Sequence, residues 1–342
     1  MTNSDEGRRG PTPPPGVDFI GDIHGQLGAL LRLARSLGYE VGNGWRHADG
    51  RIPVFLGDLV DRGPRSLETA RLVADLAADR RAFCLMGNHE YNLVCWHAGL
   101  PGWEEPKRSN RPTTEDVRRR PDDWAPALTF FRTLPLALEL PDLRAIHAVW
   151  HLPSVRAAQP LLAPAEPRGH DAVGWLEAHV ALGSPFAGRR LRAGVAASGR
   201  GEPDTPHEVL MKGHEAPATA PFEDADGHPR TEIRVTWWRG GDAEVPDDRP
   251  LVFGHYWNLP PAPPPGLEPW WAPPHPSGTD ALRRWHRELG EAIPPEGRRR
   301  WDGPFACVDF NGLTRSLGDD RACVGAVRWP EREIVWASGR SS

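Results

Sequence analysis

Five short stretches carry side chains able to do chemistry. They are Gly21-Asp22-Ile23-His24-Gly25, Gly57-Asp58-Leu59-Val60-Asp61-Arg62-Gly63-Pro64, Gly87-Asn88-His89-Glu90, Ala145-Ile146-His147 and Gly254-His255. Asp22, His24, Asp58, Asn88, His147 and His255 offer carboxylate, amide and imidazole donors, a set suited to hard or borderline ions such as manganese, iron and zinc. No cysteine belongs to the set, and Cys84, Cys95, Cys307 and Cys323 lack metal-knuckle spacing. Asp22 and His24, two apart at the end of a strand, can point the same way. The flanking glycines permit sharp turns and let backbone and ligand approach closely. A lone Gly-Asp or Gly-His is an ordinary turn. The weight lies in five such clusters, each placed after an apolar strand.

Those strands must do the positioning. Val17–Ile20 reads as a strand running into the first cluster, followed by a helix whose Leu27, Leu30, Leu31, Ala34 and Leu37 share a face, with Gly38 at its C-terminal turn. Ile52–Leu56 leads into the second cluster, and a helix over Ser66–Arg80 follows. A third strand, Ala82–Met86, leads into the third. In a mainly parallel sheet the carboxyl ends of the strands share one edge, where ligands bind, so the clusters should converge there. Farther on, residues 136–150 read as two strands, the second reaching His147. Glu232–Trp238 alternates as a half-buried strand, and Leu251–Phe253 ends at Gly254-His255. Phe305–Phe310, Cys323–Trp329 and Glu333–Ala337 read as a closing antiparallel set. Helices are expected near 171–181 and 280–290, and residues 99–127 as an irregular loop or small cap.

Composition removes several classes of function. A net charge of -5 argues against a broad basic surface for nucleic acid. No apolar run approaches the roughly 18 residues that span a bilayer, so no membrane partner is expected. The first 15 residues are polar and Pro-rich and read as a disordered tail, without the apolar stretch of a signal peptide. With so few cysteines, a reducing cytoplasmic setting is the simplest expectation. The 38 prolines and 36 glycines, about a fifth of the chain, forecast long irregular loops.

The motifs GDIHG, GDLVDRG and GNHE, followed by a strand-histidine and a strand-GH, resemble the calcineurin-like metallophosphoesterases. The DRG and NHE elements are similar to the phosphoprotein-phosphatase branch, including its bacterial members and the related diadenosine tetraphosphate hydrolases. The resemblance is carried by residues 17–90 together with the two later histidines. It implies an α/β fold, a four-layer α/β/β/α sandwich of two mixed sheets flanked by helices. One domain over residues 16–342 is expected, with insertions near 99–127, 152–230 and 259–300. It implies two divalent transition-metal ions, manganese first, with iron, zinc, nickel or cobalt as alternatives. Asp22 and His24 would hold the first ion, Asp58 would bridge, and Asn88, His147 and His255 would hold the second. A hydroxide shared by the ions would attack phosphorus in line. Arg62 would bind phosphoryl oxygens, His89 would protonate the leaving oxygen, and Asp61 would hold His89 in the right tautomer.

The implied activity is phosphoester hydrolysis, with a phosphoprotein (Ser/Thr or Tyr) the first substrate class and a small phosphoester such as a diadenosine polyphosphate the second. A metal-binding scaffold without catalysis is a remote third. Two assignments compete. His214, in Met211-Lys212-Gly213-His214, rivals His255, which follows the better buried strand. His151 rivals His147, after which Ala148-Val149-Trp150 stand where the family usually places glycine. Glu90 is read as a support for the Asn88 turn. Trp237, Trp238, Trp257, Trp270, Trp271 and Trp301 are read as packing residues rather than a substrate slot, although Trp257 should lie near the site.

Overall fold

The computed structural model describes residues 11–106, 110–187, 205–223, 229–235, 237–238, 245, 247–256, 296–310 and 323–338. The first ten residues of the expected tail, the expected helix near 280–290, Trp257, Trp270 and Trp271 lie outside them. In chain order come β1 (Val17–Ile20), α1 (Leu27–Ser36), the hairpin of β2 (Tyr39–Glu40) and β3 (Arg46–His47), β4 (Ile52–Phe55), α2 (Ser66–Ala78), β5 (Phe83–Cys84) and α3 (Asn88–His97). Next are α4 (Arg111–Arg119), α5 (Pro121–Phe131), β6 (Ala137–Glu139), β7 (Arg144–Ile146), α6 (Leu152–Ala158), α7 (Ala172–Ala178), β8 (Val180–Leu182) and α8 (Pro206–Lys212). The series closes with β9 (Glu215–Glu223), β10 (Pro229–Arg234), β11 (Leu251–Phe253), β12 (Glu296–Arg300), β13 (Phe305–Cys307), β14 (Cys323–Trp329) and β15 (Glu333–Ser338).

Two mixed sheets form the frame. The first has the order β12-β15-β14-β1-β4-β5, with β1, β4 and β5 parallel and the other neighbours antiparallel. The second runs β13-β11-β7-β6-β8, with β13, β11 and β7 parallel. Phe19, Val54, Leu56 and Leu85 from one sheet and Leu138, Ala145, Val252 and Ala306 from the other pack into one apolar layer. Strand alternation turns Ile20, Phe55 and Cys84 the other way, onto the buried faces of the helices. Two mixed sheets flanked by helices are therefore the sandwich expected of the family.

Several elements differ from the sequence reading. Residues 99–127 are not an irregular loop throughout. They include α4 and most of α5, each with proline in its first turn, Pro112 and Pro121, where the missing N–H is not needed. The buried Trp124, Ala127 and Phe131 anchor α5. The Phe305–Phe310 segment does not join the antiparallel set. Its strand, Phe305–Cys307, lies parallel to β11 in the second sheet, clamped by Leu251 N–H on Pro304 O and Val308 N–H on Phe253 O, both at 2.9 Å. The expected strand over Glu232–Trp238 begins and ends earlier, at Pro229 and Arg234. Trp237 instead packs its ring 4.9 Å from that of Phe253, and Trp238 lies 4.6 Å from Tyr256. Packing the two indoles against Phe253 of β11, with Trp237 buried, takes the place of the alternation. Edge strand β12, Glu-Gly-Arg-Arg-Arg, escaped notice because an exposed edge needs no apolar alternation.

Candidate active site

The carboxyl ends of β1, β4 and β5 from one sheet and of β7 and β11 from the other feed one buried cluster. The loops that leave them are unusual in backbone. Among the described residues eight non-glycines have positive φ, and five of these lie here: His24 (49°), Asp58 (52°), Asp61 (71°), Arg62 (66°) and His255 (65°). Left-handed backbone at non-glycine residues costs energy and persists where surrounding bonds enforce it. Here Ile23 N–H and His24 N–H both donate to Asp58 O, at 3.0 and 2.8 Å, and Gly25 N–H donates to Leu59 O at 2.8 Å. The loops after β4 and β5 nearly touch: a Cβ on Gly87 would fall 2.3 Å from Asp58 N, so only glycine fits. Gly254 N–H donates to His147 O at 2.8 Å and ties the β11 loop to β7.

Asp58 stands at the centre with its two oxygens turned to different partners. Oδ2 lies 3.6 Å from His24 Nε2 and 3.8 Å from His89 Nε2, whereas Oδ1 lies 3.5 Å from His147 Nε2. Asp22 Oδ2 is 3.8 Å from His24 Nε2. Asn88 Oδ1 is 3.1 Å from His147 Nε2. Asp22 Oδ1 accepts the backbone N–H of His255 at 3.0 Å, and the His255 ring lies 5.2 Å from that of His147. All these side chains are buried. Two groups could each hold an ion, His24 with Asp58 and His89, and Asp58 with His147 and His255. Asp58 is common to both.

The histidine tautomers suit cations. His24 Nδ1 donates to Val60 O and His147 Nδ1 to Leu56 O, each at 2.9 Å. Each bond leaves Nε2 with a lone pair facing the cluster, the usual arrangement behind a ligating imidazole. The charges agree. Burial first, then the charges of Asp309 and Asp58, holds the Asp22 carboxyl well above its ordinary pKa. Burial also works against ionised Asp58, but the neighbouring His147 and His89 imidazoles, an N–H bond from His89 and the Arg62 charge outweigh it and hold this carboxyl below its ordinary value. Buried carboxylates at such spacing call for positive charge between them. The donors, their tautomers and their charge all fit two divalent ions.

Asp61, Arg62 and His89 stand beside this group. His89 Nδ1–H donates to Asp61 Oδ2 at 2.6 Å, which points Nε2 into the cluster. Arg62 Nη1 donates to His24 Nε2 at 2.7 Å, and its Nη2 reaches within 3.4 Å of His89 Nε2. The guanidinium fork thus opens over the region between the two imidazoles. The structure gathers all nine residues singled out in the sequence. The rival histidines go elsewhere: His151 and His214 pair with each other, ring centres 4.3 Å apart, and His151 Nδ1 bonds Ser154 Oγ at 2.7 Å.

Two roles escaped the sequence reading, and a third, that of Glu90, was read only in part. Asp309, fully buried, acts on Asp22 by its charge. It follows the apolar strand β13 and opens the polar, glycine-bearing sequence Asp309-Phe310-Asn311-Gly312, and that signal was legible. Glu90 does more than support one turn. It accepts backbone N–H bonds from Asp58 (2.7 Å), Leu59 (2.8 Å), Val60 (3.3 Å) and Gly87 (3.2 Å). Burial, then the Asp58 charge, raises its pKa to about 8 against the pull of those N–H groups. Asn110, from the start of α4, hydrogen-bonds Asp61 Oδ2, and nothing local in the sequence marks it.

Residues 16–180 match the family profile described as calcineurin-like phosphoesterase. An asymmetrical bis(5'-nucleosyl)-tetraphosphatase PrpE of Halalkalibacterium halodurans is 48% identical over 83 residues, 24% of this chain and 34% of that protein. The PrpE of Oceanobacillus iheyensis is 43% identical over 103 residues, 30% of this chain and 40% of that protein. The chain thus spans little more than a third of the length of these curated relatives. Among solved structures, a cold-active protein tyrosine phosphatase of a Shewanella species superposes with a TM-score of 0.47 at 16% identity, over 96% of this chain and 81% of that one.

Proposed function

From the premise that the chain carries a calcineurin-like metallophosphoesterase domain, we propose that it is a metal-dependent phosphoester hydrolase acting on dinucleoside polyphosphates. The observation that supports hydrolysis best is Asp58, whose two carboxylate oxygens face two separate sets of histidines. Asp22, His24 and Asp58 would hold one divalent ion, and Asp58, Asn88, His147 and His255 the other. Such a pair lowers the pKa of water and neutralises charge on a phosphoryl group. The choice of nucleotide over phosphoprotein, which reverses the order read from the sequence, is supported by the PrpE relatives.

The chain's own residues supply the rest. Arg62 offers two N–H groups to non-bridging phosphoryl oxygens as charge develops on them. His89, fixed by Asp61 through Nδ1, presents Nε2 as the acid that protonates the departing oxygen. A nucleotide phosphate is a better leaving group than a serine alkoxide, so a nucleotide hydrolase tolerates loss of this acid better. No described helix is long and apolar enough to cross a membrane.

The test is a substrate panel with added manganese: diadenosine tetraphosphate, phosphoserine and phosphotyrosine peptides, p-nitrophenyl phosphate and its bis ester. The expected outcome is highest kcat/KM on diadenosine tetraphosphate, with ATP and AMP as products. Faster turnover of a phosphopeptide would overturn the nucleotide reading, and inactivity on every substrate would overturn hydrolysis itself.

A further inference from the structure

Asn110 lies 49 residues from Asp61 in sequence, in the segment the sequence reading set aside, yet it is buried against the Asp61–His89 pair. It occupies the position just before α4, where an asparagine side chain ordinarily accepts an N–H from its own helix. It makes no such cap. Its Nδ2 instead donates to Asp61 Oδ2, the oxygen that also takes His89 Nδ1–H. The amide orientation is dictated by chemistry, because a carboxylate only accepts and the opposite flip would set oxygen against oxygen. Nδ2 also lies 3.3 Å from His89 Nδ1, which is a packing contact because both atoms are donors.

Asp61 depends on this contact. Its Oδ1 is buried and makes no hydrogen bond among the described residues. Its backbone N–H donates to Ser66 Oγ at 3.0 Å, which fixes the main chain but leaves the carboxylate free to turn. His89 alone would hold the carboxylate at a single point. Asn110 adds a second point on the same oxygen and stops the rotation that would carry Oδ2 away from the imidazole. We infer that Asn110 is a positioning residue that locks Asp61 and, through it, aims His89 Nε2 at the leaving oxygen. This rests on the reading of His89 as the acid.

Asn110→Leu is the sharpest test, because it keeps the branched shape and removes the donor without setting a second carboxylate against Asp61. A space-filling residue would survive it, whereas a donor would not. The zinc-loaded enzyme is assayed with phenyl phosphate, a poor leaving group, and p-nitrophenyl phosphate, a good one of similar shape, with His89→Asn as reference. Asn110→Leu and Asn110→Ala should lower kcat for phenyl phosphate about tenfold more than for p-nitrophenyl phosphate, the scale of one charge-assisted hydrogen bond, with metal content unchanged. The low-field proton resonance of His89 Nδ1–H, assigned by its absence in His89→Asn, should broaden in both Asn110 variants through faster exchange. If His89→Asn shows the leaving-group bias and the Asn110 variants lose activity uniformly, the inference about Asn110 fails alone. Without that bias in His89→Asn, the acid reading fails and takes this one with it.

Discussion

The backbone N–H of Asp58 donates to Oε2 of Glu90 at 2.7 Å, so the residue at the centre of the site is held by a carboxylate that stands behind it. The same carboxylate takes N–H groups from both loops, after β4 and after β5, and fixes their spacing.

Glu90→Gln should therefore damage the site without removing a ligand. The amide keeps one acceptor oxygen but turns an NH2 toward backbone donors. Outer-shell losses of this kind typically cost about 10–100-fold in metal affinity or activity. Metal titration by calorimetry should show weaker binding, with folding retained by circular dichroism. Unchanged affinity would mean that the loops hold their spacing without Glu90.

Metal loading should reach about two equivalents per chain, because Asp58 is common to two groups of donors that could each hold an ion. Elemental analysis after dialysis decides this. A plateau at one equivalent with intact Asp58 would sink the dinuclear site.

Asp58→Asn should cost more activity than Asn88→Ala. Asp58 faces both histidine sets and brings charge, whereas Asn88 brings one neutral oxygen to one of them. Equal kcat losses at saturating manganese would argue that Asp58 serves one ion only.

His255→Ala should lower metal occupancy and rate together, and His214→Ala should leave the stoichiometry at two equivalents, the full dinuclear complement. His214 packs against the ring of His151 and belongs to neither group of donors that could hold an ion. The reverse pattern would move the last ligand to His214.

In the metal-stripped protein the contribution of Asp22 to stability should fall as pH rises. Folding raises the pKa of Asp22 above its ordinary value, so between the two values the folded state holds a proton that the unfolded state has released. Stability from this group is complete below the unfolded pKa and declines through the window above it. Urea unfolding of chelated protein at stepped pH should show the decline, and Asp22→Asn should flatten it. Parallel pH profiles for the two proteins would contradict the shift.

Much of this site was legible because its chemistry is local. Asp22 and His24, or Asp61 and Arg62, sit within single loops whose glycines and preceding apolar strands are visible in sequence. His147 and His255 were legible from their strands, although their meeting depends on β7 and β11 being neighbours. Asn110 was illegible because its partner lies on another loop and its helix begins in an unpatterned stretch. The sheet assignment of Phe305–Cys307 failed for a related reason. An apolar triplet says that a strand is buried but not which sheet receives it.

The place of β1 also sets an order of assembly. β1 lies between β4 and β14, with Val17 opposite both Ile52 and Trp329. The stretch β1-α1-β4-α2-β5 can form from nearby sequence as it leaves the ribosome, bringing Asp22, His24, Asp58 and Asn88 together early. His255 arrives only with β11, and β1 stays open on one side until β14 has been made. Such distant pairings form slowly and expose strand edges in the meantime. A nascent chain that holds every early ligand therefore still carries an unfinished cluster of acids and an open sheet edge. The same two late pairings, β11 beside β7 and β14 beside β1, therefore complete the ligand set and close that edge.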